Sequence, residues 1–525
     1  MEEIQNIKPR KYQEEIFETC REKNCLVVLP TGIGKTLVAL MLATDRMKKF
    51  PESKIMFLAP TKPLAQQHLD YFKKHLPELY ATLELFTGKT EAEKRKKLWQ
   101  NADIIFSTPQ CISNDVKNSM YDLKDVSLLI EDECHRCMKN YSYTYVASEY
   151  KKQARNPRIL GLTASPGSDK ARIKKIVDNL NIEAVEIRTR ESEDVKEYLQ
   201  ELKFEVVKVD FPPEFDEIRV LLKKIFDKKT EELRSRKLLF MPPTKKYLLE
   251  TQHKIMHSIS MGNKHFNLLL GASACAQAIK LQHALELLET QTLSSFLSYI
   301  QDLFSQAEKK ESKAVQNLVK QAEFNQAYIK SREIEARKIE HPKLARLKEI
   351  VEEELKQNPR IRAIIFAQYR DTLLTINKAL NSIKNINARI FVGQAKKENE
   401  KGETTGLSQR EQQEIIHDFS LGKINILCAS QIGEEGLDIP EVNTVIFYEP
   451  VPSEIRKIQR AGRTARLMKG KLIMLVTKKT RDESYYWAAF QKEKKMKQAI
   501  EDIQKEFDEK EKIKQENNKQ KKLFE

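Results

Sequence analysis

The segment Leu29–Thr36, with the sequence LPTGIGKT, constrains the fold of this chain more than any other feature. It follows an apolar run suited to a buried strand and precedes a pattern typical of a helix, so it predicts a strand–loop–helix unit. Glycines in such a loop let backbone N–H groups turn inward around a phosphate, and the following helix aims its positive end at the same place. The segment therefore predicts a nucleotide-binding loop within an α/β sheet.

Individual residues of this loop have predictable tasks. Lys35 is placed to reach the β- and γ-phosphates, and the Thr36 hydroxyl is placed to ligate Mg²⁺. Leu29 stands where the strict pattern has glycine, so a plain glycine-rich turn is the alternative for this segment taken alone. The expected cofactor-binding residues are Pro30, Thr31, Gly32, Ile33, Gly34, Lys35 and Thr36.

A pair of acids follows a second apolar run, Val126–Ile130. Because ligands of open α/β sheets bind at the carboxyl ends of strands, we expect Asp132 and Glu133 to lie near the phosphate loop. Asp132 is suited to hold Mg²⁺ through water, and Glu133 is suited to orient and deprotonate an attacking water. Two acids at a strand end are more often a solvated terminus, but together with Lys35 they predict a site of nucleotide hydrolysis.

Arginines recur in a third segment far downstream, Gln459–Arg466. Arg463 and Arg466 are three residues apart in sequence, so they share one face of a helix. Clustered arginines are normally solvated or paired with acids, but the planar guanidinium also suits the charge that develops on a γ-phosphate. We therefore expect two lobes that close over one nucleotide, with Arg463 and Arg466 supplied by the second lobe.

Short apolar runs alternate with helical patterns along much of the chain. This alternation predicts a parallel, doubly wound sheet, and it occurs twice: from Lys11 to about Glu197, and again from near Leu344. The predicted strands of the first sheet are Leu26–Leu29, Lys54–Ala59, Thr82–Phe86, Ile104–Ser107, Leu128–Glu131, Ile159–Thr163 and Ala184–Ile187. Those of the second sheet are Ala363–Ala367, Ala388–Phe391, Ile424–Ala429, Thr444–Tyr448 and Lys471–Val476.

The region between the two alternations has a helical pattern. Leucine and alanine recur there at three- and four-residue intervals, which predicts long packed helices. The tail from Lys492 to Glu525 alternates lysine with glutamate and predicts an exposed helix that frays into disorder and has no catalytic role. The expected domains are a first lobe at 1–203, an all-helical insertion at 204–339, a second lobe at 340–495 and a charged tail at 496–525.

The charge of the chain favours a polyanionic partner, because its formal net charge is +16 and its pI is near 9.2. The segment Arg219–Lys264 carries twelve Lys and Arg against four Asp and Glu, a net charge of +8. A basic helix is usually a solvated face balanced by acids. Here the acids are few, so we expect contact with nucleic-acid phosphates rather than with bases. The expected contacts are Lys223, Lys224, Lys228 and Lys229.

Cysteine content and hydropathy indicate the compartment. The seven cysteines are scattered, and Cys134 and Cys137 are the only pair with metal-like spacing, without a second pair to complete four ligands. No apolar run approaches the roughly 20 residues of a membrane span, and the first residues do not resemble a signal peptide. We expect a reduced, soluble protein of the cytoplasm, associated with the nucleoid if its source is archaeal.

These motifs resemble, in content and in order, those of superfamily 2 helicases. The resemblance extends from about Pro9 to about Met496, and it narrows to the archaeal Hef helicase–nuclease and the Fanconi anaemia M translocases at 433–442, 448–453 and 479–487. The segments that carry the wider resemblance are Tyr12-Gln13, Leu29–Thr36, Ala59–Leu64, Thr87-Gly88, Ser107–Gln110, Asp132–His135, Leu162–Pro166, Ile365–Tyr369, Gly433–Pro440 and Gln459–Arg466.

The resemblance implies two RecA-like lobes around the helical insertion and gives further residues a role. The additional residues that would serve the nucleotide are Gln13, which would bind the adenine, and Gly436, Asp438 and Gln459 of the second lobe. The residues that would couple loss of the γ-phosphate to lobe movement are His135, Thr163 and Ser165. The residues that would contact the nucleic acid are Thr61, Gly88, Thr108 and Gln368.

The activity implied by the resemblance is that of an ATP- and Mg²⁺-dependent DNA helicase or translocase. Its substrates would be forks and Holliday junctions in replication-fork repair, with movement from 3′ to 5′. An RNA helicase of the Dicer-like branch is the nearest alternative, because helical insertions occur there too. A non-catalytic scaffold clamped by ATP is a second alternative, against which Glu133, Arg463 and Arg466 speak.

The chain departs from the family pattern at two positions in its motifs. Cys134 stands where alanine is usual, and Ala465 stands where glycine is usual. Both replacements are small for small, so we expect activity to survive them. The Hef nuclease module has no counterpart in this sequence, so no endonuclease activity is assigned. We expect a monomeric helicase part, and a nuclease module or partner outside this chain is left open.

Overall fold

The computed structural model describes residues 4–139, 141–198, 202–263, 265–394, 406–430, 439–451 and 470–524. Within these ranges the chain forms two parallel sheets and a helical domain between them in sequence. No helix of the described ranges is long and apolar enough to cross a membrane.

The first lobe is a seven-stranded parallel sheet with strand order β3-β4-β2-β5-β6-β1-β7. Its central strands are buried on both faces because helices cover both sides, and this is why they read as unbroken apolar runs. The elements are α1 Lys11–Glu22, β1 Cys25–Val28, α2 Lys35–Lys49, β2 Lys54–Leu58, α3 Lys62–His75, β3 Leu83–Phe86, α4 Ala92–Asn101, β4 Ile104–Ser107, α5 Pro109–Lys117, β5 Val126–Asp132, α6 Ser142–Gln153, β6 Ile159–Thr163, α7 Lys170–Leu180, β7 Ala184–Ile187 and α8 Glu193–Lys196.

The second lobe is a six-stranded parallel sheet with strand order β10-β11-β9-β12-β13-β8. Its elements are β8 Leu202–Val209, α15 Pro342–Gln357, β9 Ala363–Phe366, α16 Arg370–Leu380, β10 Ala388–Phe391, α17 Gln409–Ser420, β11 Ile426–Ala429, β12 Thr444–Phe447 and β13 Gly470–Thr477.

The helical domain has its own apolar core, in which Leu222, Leu281, Phe296 and Phe324 are buried. Its elements are α9 Pro213–Ser235, α10 Lys245–Ser260, α11 Phe266–Thr290, α12 Leu293–Glu308, α13 Lys313–Val319 and α14 Ala322–Ala336. The predicted fold class, two doubly wound parallel-sheet lobes with an all-helical insertion, is confirmed.

Strand β8 is an element that the sequence pattern does not predict. The pattern puts residues 204–209 in the helical insertion, whereas the structure pairs β8 with β13, in register from Leu202 opposite Gly470 to Val209 opposite Thr477. Lysines and a glutamate interrupt its apolar residues, as is usual for an edge strand with solvent on one side. The chain therefore contributes one strand to the second sheet before it enters the helical domain.

The last helix, α18 (Arg481–Phe524), also differs from the exposed tail predicted for 496–525. Four apolar residues at helical spacing, Met496, Ala499, Ile500 and Ile503, are buried in the core of the first lobe. Their spacing of i, i+3, i+4 and i+7 is present in the sequence, but it is sparse among lysines and glutamates. Helix α18 thus leaves the second lobe at β13 and docks on the first lobe.

A buried ion pair fixes the start of α18. The Lys343 ammonium on α15 lies 2.8 Å from the Asp482 carboxylate, and both side chains are fully buried. Next to this pair, Arg481 lies 2.8 Å from Glu289 on α11. These contacts tie α18 to the second lobe and to the helical domain.

Beside this ion pair, His341 makes stability depend on pH. Its ring is fully buried where α15 begins, and burial, followed by the charge of Lys343, lowers the pKa of His341 well below its usual value. The folded protein keeps the ring neutral, whereas the unfolded chain takes up a proton near pH 6.5. This contribution to stability is therefore present above about pH 6.5 and is lost as the pH falls.

We predict that His341→Asn reduces this loss of stability in acid, because asparagine keeps a capping acceptor but does not titrate. Below pH 6.5, the variant should gain about 1.4 kcal/mol per pH unit relative to the native protein. Urea unfolding at pH 7.5, 6.5 and 5.5 measures this difference. The exposed His257→Asn is the control, and a pH-independent difference for His341→Asn would contradict the assignment.

Candidate active site

The phosphate loop lies between the carboxyl end of β1 and the start of α2. Gly32 and Gly34 have φ angles of 85° and 88°, in the left-handed region that favours glycine. A Cβ atom at Gly34 would lie 2.2 Å from the Gln13 amide nitrogen, so this position excludes other residues. Lys35 begins α2 and donates a hydrogen bond to the carbonyl oxygen of Leu29 at 3.1 Å. The loop therefore presents its lysine at the positive end of a helix, as the sequence predicts.

Gln13 lies against this loop. Its amide nitrogen donates to the carbonyl oxygens of Ile33 and Gly34 at 3.2 and 3.3 Å, and its amide oxygen accepts from the Arg10 N–H at 2.9 Å. The Tyr12 hydroxyl also donates to the Ile33 carbonyl. Helix α1 is therefore fixed to the phosphate loop at the position predicted to sense the base.

Asp132 is the last residue of β5, which is separated from β1 by β6. Its Oδ2 lies 2.9 Å from Nε2 of His68 on α3. Burial by itself would raise the pKa of Asp132, but the hydrogen bond with His68 and the charge of Lys35 bring it below its usual value. The side chain is therefore an ionised carboxylate at neutral pH, as an Mg²⁺ ligand must be.

The pKa of the neighbouring Glu131 is shifted in the opposite direction from that of Asp132. Successive strand residues point to opposite faces of a sheet, so Glu131 is buried under the helices rather than beside the phosphate loop. Burial raises the pKa of Glu131 well above its usual value. The pKa values of two carboxyl groups adjacent in the chain are thus shifted in opposite directions.

Glu133 turns the chain out of β5 with a left-handed backbone (φ 52°). Its Oε2 lies 3.1 Å from Nδ1 of His135, and the same nitrogen lies 3.1 Å from the Thr163 hydroxyl. The Thr163 hydroxyl donates to the Ser165 carbonyl oxygen, so it accepts from His135. A continuous set of contacts thus connects the acid to the loop after β6.

This set of contacts continues to α18, the helix that begins in the second lobe and docks on the first. The Ser165 hydroxyl lies 2.8 Å from the Met496 sulfur on α18. A cavity of about 660 Å³ opens beside it, bordered by Thr31 of the phosphate loop, Ala164, Phe204 of β8 and the buried side of α18. The residues predicted to couple hydrolysis to movement therefore touch the helix that joins the lobes.

Three residues predicted to contact nucleic acid follow neighbouring strands of the first sheet. Thr61, Gly88 and Thr108 come after β2, β3 and β4, which adjoin in the order β3-β4-β2, so they lie along one edge. Gly88 is exposed, and the Thr61 hydroxyl is buried without a hydrogen-bond partner among the described residues. In the second lobe, Gln368 follows β9 with an exposed side chain.

Three family models match consecutive parts of the chain. Residues 10–173 match the DEAD/DEAH box helicase model, and residues 342–468 match the helicase conserved C-terminal domain. Residues 214–340 match a model described as "Putative ATP-dependent RNA helicase, helical bundle". These models correspond to the first lobe, the second lobe and the helical domain.

A solved structure covers nearly the whole architecture. The crystal structure of the Pyrococcus furiosus Hef helicase domain matches with a TM-score of 0.69 and 41% sequence identity, over 92% of this chain and 98% of that domain. The chain belongs to the Hef and Fanconi anaemia M family of superfamily 2 helicases. It carries the ATP-hydrolysing helicase motor of that family.

The curated relatives of this helicase are longer than the chain. A putative ATP-dependent RNA helicase of Methanocaldococcus jannaschii is 38% identical over 501 residues, which cover 95% of this chain and 61% of the relative. The ATP-dependent DNA helicase fml1 of Schizosaccharomyces pombe is 32% identical over 488 residues, covering 90% and 57%. The Fanconi anemia group M protein homolog of Mus musculus is 30% identical over 519 residues, covering 91% and 25%.

The residues of the helicase site fit ATP and Mg²⁺. Lys35, at the start of α2, suits the phosphates, whereas the Thr36 hydroxyl and the ionised Asp132 supply oxygen ligands of the kind that a nucleotide-bound Mg²⁺ takes. Within the described ranges, no cluster of three or more His, Cys, Asp or Glu side chains could hold a metal ion alone. In that part of the chain, Mg²⁺ would therefore depend on nucleotide phosphates as further ligands.

His68 is the site residue that sequence reasoning missed. It lies in the middle of an amphipathic helix far from Asp132 in sequence, so no local motif points to it. The Phe57 ring stacks on it at a centroid distance of 4.3 Å and holds it at the carboxylate. An additional signal was its polarity on the buried face of α3, where the other buried positions are mostly apolar.

Helix α9 does not have the fully open basic face that the sequence predicts. Lys224 lies 3.0 Å from Glu323, and Lys229 lies 3.2 Å from Glu232, so two of the four predicted contacts are paired within the protein. Lys223 and Lys228 are exposed and form no ion pair with a described residue. These two keep their charge available to a partner.

The predicted residues of the second lobe at the nucleotide lie outside the described ranges and stay predictions. They are Gly436, Asp438, Gln459, Arg463 and Arg466.

We predict that Glu133→Gln leaves ATP binding intact and lowers ATP turnover by about 10²–10⁴-fold, because the amide keeps the shape but cannot accept the proton of water. Steady-state turnover and equilibrium titration with ATP measure the two quantities separately. Lys35→Ala is the contrasting variant and should weaken ATP binding itself. Hydrolysis near the native rate by Glu133→Gln would show that another group is the base.

Proposed function

We propose that this helicase is an ATP-driven DNA translocase that remodels branched DNA, such as forks and Holliday junctions, in fork repair. The observation that carries the proposal is the match to the Hef helicase domain over 98% of that domain at 41% identity. Relatives named as ATP-dependent DNA helicases match over at least 90% of this chain. Movement from 3′ to 5′ is proposed with it, on the resemblance of the motifs.

In this proposal, the first lobe prepares the γ-phosphate for attack. The backbone N–H groups of the loop from Thr31 to Gly34 and the Lys35 ammonium bind the phosphates, and Thr36 and Asp132 hold Mg²⁺. The metal, when bound, neutralises charge on the phosphate oxygens. Glu133 orients the attacking water and takes its proton.

The second lobe completes the site and responds to it. Arg463 and Arg466, with Gln459, stabilise the charge that develops on the γ-phosphate, while Gly436 and Asp438 approach the nucleotide from the same side. Gln13, held on the phosphate loop, recognises the adenine. These are roles by resemblance, applied to the matching positions of this chain.

Coupling follows the contacts from Glu133 through His135 and Thr163 to Ser165. A shift of Glu133 on loss of the γ-phosphate changes the His135 contact and, through Thr163, the loop that carries Ser165. Because Ser165 touches Met496, the shift reaches the helix that joins the two lobes. This supports hydrolysis that drives relative movement of the lobes.

The DNA strand crosses the carboxyl ends of both sheets in this proposal. Thr61, Gly88 and Thr108 contact phosphates from the first lobe, and Gln368 does so from the second. Contacts of this kind carry no sequence information and can be remade at every step, which suits a motor. The Thr61 hydroxyl, without a partner among described residues, is available as a donor.

The helical domain grips a duplex arm. A concavity of about 380 Å³ between α9, α11 and the α13–α14 turn is lined by Lys228, Lys229 and Lys320, with the buried Gln277 at its base. Lys229 forms an ion pair with Glu232, so Lys228 and Lys320 are the charges that contact backbone phosphates.

An RNA helicase is the second candidate function. It is favoured by the name of the helical-bundle model and by the name of the Methanocaldococcus jannaschii relative. The Lys228–Lys320 concavity does not distinguish the two, because phosphates are common to DNA and RNA. A non-catalytic scaffold is disfavoured by the lowered pKa of Asp132 and by the position of Glu133 directly after β5.

The proposal predicts that forked DNA stimulates ATP turnover most, ahead of linear duplex, single-stranded DNA and duplex RNA. The reason is that a fork offers a strand to the lobes and a duplex arm to the helical domain at once. Steady-state ATPase assays with matched lengths test the order. If duplex RNA stimulates ATP turnover most, the chain is an RNA helicase instead. Equal stimulation by forked and linear duplex DNA would refute a preference for branched DNA.

We predict that Lys228→Ala with Lys320→Ala weakens fork binding and makes its salt dependence shallower. Each lost duplex phosphate contact should reduce the slope of log Kd against log salt by about 0.9. DNA-free ATP turnover should be unchanged, because neither lysine is near the nucleotide motifs. The control is Lys356→Ala with Lys378→Ala, two exposed lysines of the second lobe. An unchanged slope in the first variant would exclude phosphate contact by this concavity.

A further inference from the structure

Exposed apolar side chains are concentrated in one short part of the helical domain. Seven of the fourteen large apolar residues that are exposed among the described residues lie between Phe240 and Leu269. We define the apolar tip as these seven residues: Phe240, Met241, Leu249, Met256, Met261, Phe266 and Leu269. Such a concentration marks a binding surface rather than the scattered exposure that is normal for soluble proteins.

The apolar tip lies where three elements of the helical domain meet. It covers the turn after α9, positions of α10 in both its first half (Leu249) and its second half (Met256), and the start of α11. Arg236 at the end of α9 donates to the Asn267 side chain at 2.9 Å, which joins the turn to α11. The two most exposed rings, Phe240 (80%) and Phe266 (75%), thus stand at the same end of the domain.

The turn that carries Phe240 is fixed rather than loosely attached. Leu238 packs on α11 at Gly271, where an added Cβ would lie only 2.1 Å from the Leu238 methyl group. Leu239, next to Phe240, is buried in the core of the domain. The Phe240 ring is therefore held outward by a rigid base.

The charge around the apolar tip favours a polyanion over an ordinary protein partner. From Arg236 to Leu269 the sequence has six Lys and Arg against one acid, Glu250. Three of these cations are in ion pairs, Arg236 with Glu232, Lys245 with Glu286 and Lys246 with Glu250, whereas Lys237 and Lys254 are exposed and form no ion pair with a described residue. Lysine is depleted in protein interfaces, whereas nucleic-acid surfaces combine basic residues with apolar side chains that contact bases. Proteins that bend or open duplexes insert Phe, Met, Leu and Pro between base steps, and Met241 is followed by Pro242-Pro243.

The position of the apolar tip relative to the basic concavity fits one DNA arm. Phe266 and Gln277 lie eleven residues apart on α11, which is roughly 16 Å at the rise of an α-helix. Gln277 forms the base of the Lys228–Lys320 concavity. If the phosphates of a DNA arm lie in that concavity, the end of the arm where base pairing stops would lie at the apolar tip.

We propose that the apolar tip binds unstacked bases at the branch point of DNA, with Phe240 and Phe266 as the stacking side chains. This rests on the proposed function, because it requires a branched DNA substrate. The aromatic rings take the exposed base faces, and the methionines fill the irregular space around them. The nearby basic side chains contact the flanking phosphates.

The test uses the whole chain with Phe240→Ala and Phe266→Ala, and a fork that carries 2-aminopurine at the branch point. Native protein should raise the fluorescence of this probe by unstacking it, and the double variant should not. Fork affinity should fall by about fivefold or more, the effect of losing one or two stacked bases. The salt slope should stay unchanged, because no phosphate contact is removed.

Controls separate this effect from loss of structure. Ile329→Ala with Leu421→Ala removes two other exposed apolar side chains, each 57% exposed, and should leave the probe response and the affinity unchanged. Phe240→Trp with Phe266→Tyr keeps aromatic faces and should preserve the fluorescence rise. DNA-free ATP turnover should be native in every variant.

Two results would overturn the proposal while leaving branched-DNA preference intact. One is a native probe response and native affinity in the double alanine variant, with native preference for forks over linear duplex. The other is native fork binding together with loss of self-association in sedimentation, which would assign the apolar tip to a second copy of this chain. If the native protein itself shows no fork preference, the proposed function fails first, and the two failures are distinguishable.

Discussion

Helix α18 connects the two lobes, because it begins in the second lobe and buries four apolar residues in the core of the first. Full burial of a methionine or isoleucine side chain stabilises by about 1.5–3 kcal/mol, which applies to Met496, Ile500 and Ile503, and the smaller Ala499 adds less. The ion pairs of Lys170 and Lys174 with Glu506 lie at 2.9 and 3.0 Å but are largely solvent-exposed, so they add little. The docking of α18 on the first lobe is therefore mainly hydrophobic, with ion pairs that orient the helix.

The same helix meets the set of contacts that starts at the hydrolysis site. From Glu133 to Ser165 every step is a contact of 3.1 Å between buried groups, and the last step is the 2.8 Å contact with Met496. Buried contacts of this kind are weakly screened by solvent, so a change at one end is felt at the other. A cavity beside them borders Ala164 and α18. The proposed coupling of hydrolysis to lobe movement rests on this series of contacts.

The sequence predicts those parts of this protein that depend on local pattern. The central strands of the first sheet are predictable because buried parallel strands are unbroken apolar runs, and the phosphate loop and the Asp132–Glu133 pair follow such runs. The outer strands β3 and β7 are partly buried and each contains a glutamate, so their apolar residues alternate with a polar one. Strand β8, the His68 contact and the docking of α18 depend on partners far away in sequence, so no local pattern reveals them. The pairing of Lys224 with Glu323 is equally non-local, which is why charge counting overstates the open basic surface of α9. The apolar tip is visible only when burial is known, since its leucines and methionines have the spacing of core residues.

Completion of the hydrolysis site by the second lobe is the claim on which the motor mechanism depends. Its most direct test is ATP turnover of Arg463→Ala and Arg466→Ala with forked DNA at saturating ATP, beside equilibrium ATP binding. The exposed Arg389→Ala on β10 is the matched control. A shared site predicts a loss of turnover of about 10³-fold or more with ATP binding retained, because the charge on the γ-phosphate loses its compensating cation. Native turnover in both variants would contradict a site built from two lobes.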